Sequence, residues 1–402
     1  MHEKEAEGEA AGRRGRGRLR RVTGRLVLMA ASLFAAGAAG ELFLKAAGYR
    51  RPSLVRRADM LALHAGAKAS FVYRGYLVGT FSDMENPVTL NREGFHDVEH
   101  AAERAATNTY RLLVVGDSYV AALSVPLEGK FTRLLESRLR REDPFRTGRY
   151  EVISMGHGNQ AQEAELAYVR NAGERYRPDA VLLVFFCGND VMENSPETFH
   201  AAQGFASRYQ KTIAPLKERV FARANVLPHT RVSGALAEAV TTWYADHLHW
   251  FVPGLTRADL ESPEMGVYRV PLAPPWQRAY ERTAVLLAAI RDECRRQGAT
   301  FLLAWLSSPQ AIGDVGGEEI RHGGADGLDL AQPERWIESW CRTNGVPAVS
   351  LEPALVAAGR RRVFWRHDGH LNPAGNAAVV EPLYRLVATS GAPTAGIRTA
   401  CR

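Results

Sequence analysis

The chain is short of the residues on which several kinds of protein depend. Four cysteines in 402 residues are too few for a disulfide scaffold. None lies in a C-x-x-C or a Cys/His pattern of zinc-site spacing, so neither a redox motif nor a cysteine-bound metal is expected. No internal repeat is visible, which excludes a solenoid or propeller. With 46% apolar and 24% charged residues there is no compositional bias toward disorder in the bulk of the chain. An excess of positive charge is also missing where nucleic-acid binding would need it. Of the net charge of +7, residues 1–25 carry +4, from eight basic residues (Lys4, Arg13, Arg14, Arg16, Arg18, Arg20, Arg21 and Arg25) against four glutamates, and the rest of the chain carries +3.

What is present begins with that basic stretch, which runs directly into an apolar segment, Leu26 to Gly40, continuing through Glu41 into Leu42, Phe43 and Leu44. Arginines followed by a hydrophobic segment read as a membrane signal with the charges held in the cytoplasm. Counted over residues 26–48, the helix spans about 34 Å, enough for a hydrocarbon core of roughly 30 Å. Counted only to Glu41 it is short, and Ala-Gly-Ala-Ala-Gly then fits a small-residue cleavage site. An uncleaved anchor, a cleaved signal and a buried core helix all remain open. In the anchor reading Glu41 and Lys45 share a face and pair or reach water at the outer interface. Either export reading places the remainder outside the cytoplasm, where the cysteines are free to oxidise.

Residues 49–108 show no strong period and read as an N-terminal extension packing on the core. Beyond them the pattern changes. Short apolar runs recur at Arg111 to Val115, Tyr150 to Met155, Asp179 to Phe186, Thr300 to Leu306 and Val346 to Leu351. Between them lie helical faces: Phe131, Leu134, Leu135 and Leu139; Tyr280, Leu287, Ile290 and Cys294; Trp336, Ile337 and Trp340. This alternation predicts an α/β protein with a parallel sheet covered on both sides. The stretch 194–275 interrupts it, with helical pieces at Ser207 to Ala224 and Gly234 to His249, and reads as a mainly helical insertion beside the site. Its His247 and His249, two apart on a predicted helix, point to different faces and make a poor metal site. The aromatics around Trp243 and Trp250 suit core packing or stacking on sugar rings. Cys187 reads as a buried, inert thiol, and Cys294 and Cys341 lie on separate predicted helices and are free to pair.

In a parallel sheet, ligands bind beyond the carboxyl ends of the strands. The first strand ends in Gly116-Asp117-Ser118, where a sharp turn presents a hydroxyl; the plain alternative is a helix-capping serine. The second ends in Gly156-His157-Gly158-Asn159, which offers backbone N–H groups or simply a glycine turn. The third ends in Gly188-Asn189-Asp190, where an amide can face a developing oxyanion, although the tripeptide also suits a turn. Near the C-terminus comes Asp368-Gly369-His370-Leu371-Asn372-Pro373. A serine hydroxyl needs a paired base, and a histidine base needs a partner that fixes its tautomer. Asp368 and His370 supply both, unless they serve only to cap the helix that follows.

These blocks, in this order, resemble the SGNH (GDSL) hydrolase superfamily over roughly residues 108–390. Leu90-Asn91-Arg92-Glu93-Gly94-Phe95-His96-Asp97 resembles the segment preceding the core in membrane-anchored SGNH hydrolase-like proteins. The resemblance implies a three-layer α/β/α sandwich, a flavodoxin-like five-stranded parallel sheet, and serine-dependent ester cleavage without cofactor or metal. By position, Ser118 becomes the nucleophile, His370 the base and Asp368 its orienting acid, with an oxyanion hole from the Ser118 N–H, a glycine of the second block and Asn189. Gly158 is preferred over Gly156, in a block that lacks the frequent asparagine. Many members place the aspartate three residues before the histidine; the two-residue spacing here resembles a subset that includes alginate O-acetyltransferase-like proteins.

The expected organisation is a cytoplasmic tail (1–25), a signal anchor (26–48), the extension (49–108), a hydrolase domain (109–390) and a C-terminal tail (391–402). The expected function is that of an exported, single-pass serine esterase or deacetylase acting on an acylated carbohydrate or lipid ester. An O-acyltransferase for a cell-envelope polysaccharide and a non-catalytic envelope-binding protein are the alternatives. Oligomeric state is not readable.

Overall fold

The computed structural model describes residues 25, 27–55, 67–75, 80–82, 84–106, 108–227, 229–252, 255, 262–313, 327–359 and 362–391. The basic tail apart from Arg25, and the C-terminal tail beyond Gly391 with Cys401, lie outside the described residues. The chain forms two compact units, Met1–Pro52 with Lys217–Ala245, and Ser53–Leu216 with Asp246–Arg402.

The second unit contains the sheet. Its strands, numbered along the chain after four short ones, are β5 (Thr109–Gly116), β6 (Arg149–Gly156), β7 (Ala180–Phe186), β8 (Thr300–Leu306) and β9 (Ala348–Ser350). All are parallel, in the order β6-β5-β7-β8-β9. The five expected runs are these five strands, the last of them trimmed to three residues. Each run is apolar throughout because helices cover both faces. Leu113, Val115, Val181, Leu183 and Phe185 pack with Leu287, Ile290 and Ile337 on one side. Leu112, Val114, Leu182 and Val184 pack with Leu135, Leu139, Leu383 and Val387 on the other. Each such side chain contributes about 1.5–3 kcal/mol by leaving water. The result is an α/β sandwich with the flavodoxin-like strand order.

The extension folds into two antiparallel pairs, β1 (Ser53–Leu54) with β3 (Phe81–Ser82) and β2 (Ser70–Tyr73) with β4 (Asn86–Thr89). Strands of two to four residues are too short to leave a period in the sequence. The segment Leu90 to Asp97 is pinned to the sandwich by polar contacts. Asn91 Oδ1 accepts from the N–H groups of Glu93 and Phe95 at 3.0 Å, closing a local turn. Buried Asp97 accepts from the Ser154 N–H at 2.7 Å and pairs with Arg133 at 3.3 Å and His100 at 3.0 Å. The Lys130 ammonium donates to the His96 carbonyl, and burial pulls its pKa down to about 8.

The insertion is helical, with boundaries that differ from expectation. Helices span Pro196–Arg208, Ala214–Ala224, Arg231–Asp246 and Leu248–Phe251, with a wider turn of helix at Tyr209–Ile213. The chain bends at His247, outside both flanking helices. The rings of His247 and His249 therefore stack at 6.5 Å and both meet Trp250, instead of facing opposite ways. Cys187, Cys294 and Cys341 are buried free thiols, so the Cys294–Cys341 pairing does not form.

In the first unit, Val27–Ala46 is a helix long and apolar enough to cross a bilayer. It is not buried as a core helix would be: Leu33 is 66% and Phe34 81% exposed. Glu41 does not pair with Lys45. Its carboxylate takes the Arg231 guanidinium at 3.0 Å and accepts from the Arg231 and Val232 N–H groups at 2.6 and 3.2 Å. Three donors at the start of one helix satisfy that carboxylate better than a single flexible ammonium.

The two glycines of the second block are separable by stability. A Cβ on Gly156 would lie 2.3 Å from the Ala121 nitrogen and 2.6 Å from the Val120 carbonyl carbon, both backbone atoms that cannot swing aside. A Cβ on Gly158 meets only the Ser118 Cβ at 3.8 Å. Denaturant melts should show Gly156→Ala destabilised by about 2 kcal/mol or more, and Gly158→Ala close to the parent. Equal stabilities would refute this account of the packing.

Candidate active site

Ser118 owes its position to the residues on either side. A Cβ on Gly116 would sit 2.4 Å from Val120 Cγ2 and 3.0 Å from the Val184 carbonyl, so only glycine lets β5 turn so tightly there. Asp117, fully buried, caps the short helix Ser118–Ala121 by accepting the Tyr119 N–H at 2.9 Å. The cap is thus supplied by Asp117, and Ser118 is left partly exposed. Because β5 lies between β6 and β7, crossovers leave it in both directions, and Ser118 stands where ligands bind in such sheets.

The C-terminal loop brings the histidine to the same edge. Asn372 caps the helix Pro373–Ala378, accepting from the Ala374 and Gly375 N–H groups at 2.9 and 3.1 Å. That frees Asp368 and His370 from the capping role the sequence left open. Gly369 sits at φ +79°, which permits the sharp bend between them, and its carbonyl accepts from the Tyr119 hydroxyl at 2.8 Å. His370 Nε2 lies 2.8 Å from Ser118 Oγ, and Nδ1 lies 2.5 Å from Asp368 Oδ1. Asp368 Oδ2 also accepts from the Tyr73 hydroxyl at 3.1 Å. Tyr73 comes from β2, in a segment whose sequence carries no functional signal.

The electrostatics follow from burial and neighbours. Burial alone lowers the pKa of His370. The Coulombic pull of Asp368, the hydrogen bond to it and the charge of Asp117 outweigh that, and the ring titrates above its ordinary value. Burial pushes the Asp117 carboxyl up to about 6, against the opposing effect of the Tyr119 N–H.

Asn189 follows β7, the other neighbour of β5. Its Nδ2 donates to Glu193 Oε1 at 2.7 Å, one turn on, and Glu193 is that amide's one partner among the described residues. Glu193 was not anticipated, although the spacing of four residues that lets them meet is visible in the sequence. Behind it lie Glu165 and Asp190, both fully buried and both bound by Gln162 Nε2, at 3.1 and 2.8 Å. Burial, and then their mutual repulsion with Asp117, drive Glu165 well above the usual carboxyl range; the same two causes raise Asp190.

Gly158 lies just past β6, and the position its Cβ would take is 3.8 Å from Ser118 Cβ, whereas Gly156 lies within the strand against Val120 and Ala121. The structure therefore brings Ser118, His370 and Asp368 into one hydrogen-bonded chain, with Gly158 beside Ser118. Among the described residues no group of three or more His, Cys, Asp or Glu is arranged to hold a metal ion.

No family model matches the chain, and no curated protein matches it. Solved structures do. TesA matches at 15% identity with a TM-score of 0.36, over 69% of this chain and 98% of its own. The acetyl xylan esterase AlAXEase matches at 16% identity and a TM-score of 0.38, over 69% and 99%. A lipolytic G-D-S-L family protein from Veillonella parvula matches at 9% identity and a TM-score of 0.36, over 69% and 97%. At these TM-scores the likeness has no bearing on activity.

Two titrations test the site. The NMR midpoint of the His370 imidazole should lie above the ordinary value of 6.5 and fall in Asp368→Asn; a midpoint unmoved by that substitution would show that Asp368 is not the controlling partner. Glu165 gives a stability signature. With its folded pKa raised, the native state keeps a proton that the unfolded chain loses above the ordinary carboxyl value of 4.5. Stability is then highest below that pH and falls as pH rises toward the folded pKa, by about 1.4 kcal/mol per unit. Glu165→Gln should remove that slope, so its advantage over the parent should grow from pH 5 to 8 in urea melts; parallel curves would contradict a protonated Glu165.

Proposed function

We propose that the protein is an exported, membrane-anchored serine esterase of the SGNH type, acting on an acylated glycan or lipid ester. The observation that carries the reading is the chain Asp368–His370–Ser118, at 2.5 and 2.8 Å. Ser118 is the nucleophile, His370 the general base and Asp368 the group that fixes the tautomer. The Ser118 Oγ attacks the ester carbonyl carbon while His370 Nε2 takes its proton. The carbonyl π pair moves onto oxygen, where the Ser118 and Gly158 N–H groups and the Asn189 amide meet the developing charge. On collapse the alkoxide leaves, receiving the proton from His370, and an acyl-serine remains. Water repeats the sequence, with His370 again as base, releasing the carboxylic acid and restoring the serine.

The sequence of residues 1–46 supports this location. Eight basic residues precede the helix Val27–Ala46, an arrangement that holds residues 1–25 in the cytoplasm and sends Ser118 to the other side of the membrane. A site tethered there meets envelope glycans and lipids before it meets cytosolic metabolites.

The two-residue spacing of Asp368 and His370 also favours, as a second reading, transfer of the acyl group to a sugar hydroxyl. The acyl-enzyme is common to both, and only the acceptor differs. One assay tests the set: release of p-nitrophenol from its acetyl ester by the purified full-length chain, with and without an acceptor glycan. Turnover should fall by about 10⁴-fold or more in Ser118→Ala and about 10²-fold in Asn189→Ala, with both variants folded. Wild-type turnover in Ser118→Ala would end the serine reading. Acetylated glycan formed at the expense of acetate would decide for transfer.

A further inference from the structure

We propose that the tip of the insertion's helical hairpin, Val226-Leu227, enters the outer face of the membrane beside the anchor helix and forms a second point of attachment to lipid. The proposal rests on reading Val27–Ala46 as a membrane-spanning helix. Everything it uses lies within the first unit.

The hairpin is tied to that helix at a fixed height. Gly40 faces Val232, and a Cβ there would come within 3.2 Å of Val232 Cγ2. One residue later, Glu41 holds the Arg231 guanidinium and the first N–H groups of the helix Arg231–Asp246. From there that helix leads away from the span: the Tyr49 hydroxyl reaches Glu238 at 2.7 Å, and Arg51 lies against Gly234. Along the anchor, Gly37, Gly40, Glu41 and Leu44 form a partly covered stripe, and every described residue from Val27 to Ala36 is exposed. Val226 and Leu227, which precede Arg231, therefore lie back along the anchor, toward its cytoplasmic end.

Height is what gives this a consequence. The 20 residues Val27–Ala46 span about 30 Å, the thickness of the hydrocarbon core. Glu41 lies five residues short of the outer end, about 7 Å below it along the axis. The turn leading into Arg231 therefore sits at or below the level where acyl chains begin. Its side chains suit that place. Val226 is 74% and Leu227 62% exposed. The turn is also rigid: the Ser233 hydroxyl accepts the Leu227 N–H at 3.0 Å and lies 3.1 Å from Asn225 Oδ1. Two exposed aliphatic residues on a fixed turn at membrane depth have lipid as their partner. The Glu41–Arg231 pair, which neutralises the only carboxylate in the span, holds them at that depth.

The test uses the full chain reconstituted in phospholipid vesicles, with Cys401→Ser and a single introduced cysteine carrying an environment-sensitive fluorophore, read against lipids bearing a nitroxide near the headgroup. Leu227→Cys should emit to the blue of its detergent-free denatured signal and lose about half its intensity to the nitroxide lipid. Phe34→Cys, within the span, reports on the anchor alone, using acyl-chain nitroxide. Quenching at both positions supports the proposal. Quenching at residue 34 without quenching at residue 227 overturns it and leaves the anchor standing. No quenching at residue 34 overturns the anchor, and the hairpin proposal with it.

Discussion

A single hydrogen bond, the 2.8 Å contact between His370 Nε2 and Ser118 Oγ, joins residues 252 positions apart, and most of the second unit can be understood as what that contact requires. One side of it needs a strand that stops abruptly and a turn without a side chain at Gly116. The other side needs a loop bent at Gly369 and held by Tyr119, the residue next to Ser118. Tyr119 therefore ties the two halves directly, through its hydroxyl to the Gly369 carbonyl and through its ring, 4.9 Å from that of His370. The sheet carries Gly116, the last residue of β5, directly before Asp117 and Ser118. It supplies the rigid edge against which a displacement of an ångström would break the contact.

The charge around that contact is arranged in depth. Asp368 meets three polar groups, the backbone N–H and ring Nδ1 of His370 and the Tyr73 hydroxyl. Burial raises the carboxyl of Asp117 to about 6 and drives those of Glu165 and Asp190 well above the usual carboxyl range. A site with four ionised carboxylates would hold the imidazolium so firmly that it would give up its proton only at alkaline pH. Keeping Glu165 and Asp190 protonated leaves Asp368, and after it Asp117, as the charges that raise the histidine's pKa. Asn189 is linked to this group through Glu193, whose own carboxyl is raised first by burial and then by Asp190 and Asp117.

The legible part of this arrangement was the part carried by runs and by neighbours in sequence. Doubly buried strands leave unbroken apolar runs, and the five of them were readable to within a residue or two. Ser118, Asp368 and His370 lie at strand and loop ends where turn chemistry marks them. Tyr73 was not readable, because β2 is four residues long and meets Asp368 across 295 positions. The fate of Glu41 was hidden for the same reason. Local spacing offered Lys45, and the actual partner, Arg231, is 190 positions away. The bend at His247 follows from no breaker residue, since neither glycine nor proline stands there, and helical period alone ran through it.

Burial also decides what export would mean for the thiols. The cysteines at 187, 294 and 341 are all free and all buried, and burial raises each pKa, to about 12 for the last two. Disulfide formation begins with a thiolate that an oxidant can reach. Neither condition is met in the folded chain, so an oxidising compartment leaves the core as it is. Only during folding, before the strands and helices close over them, are these sulfurs open to oxidation. Were the chain exported, these three residues would depend on the sandwich closing over them before oxidation.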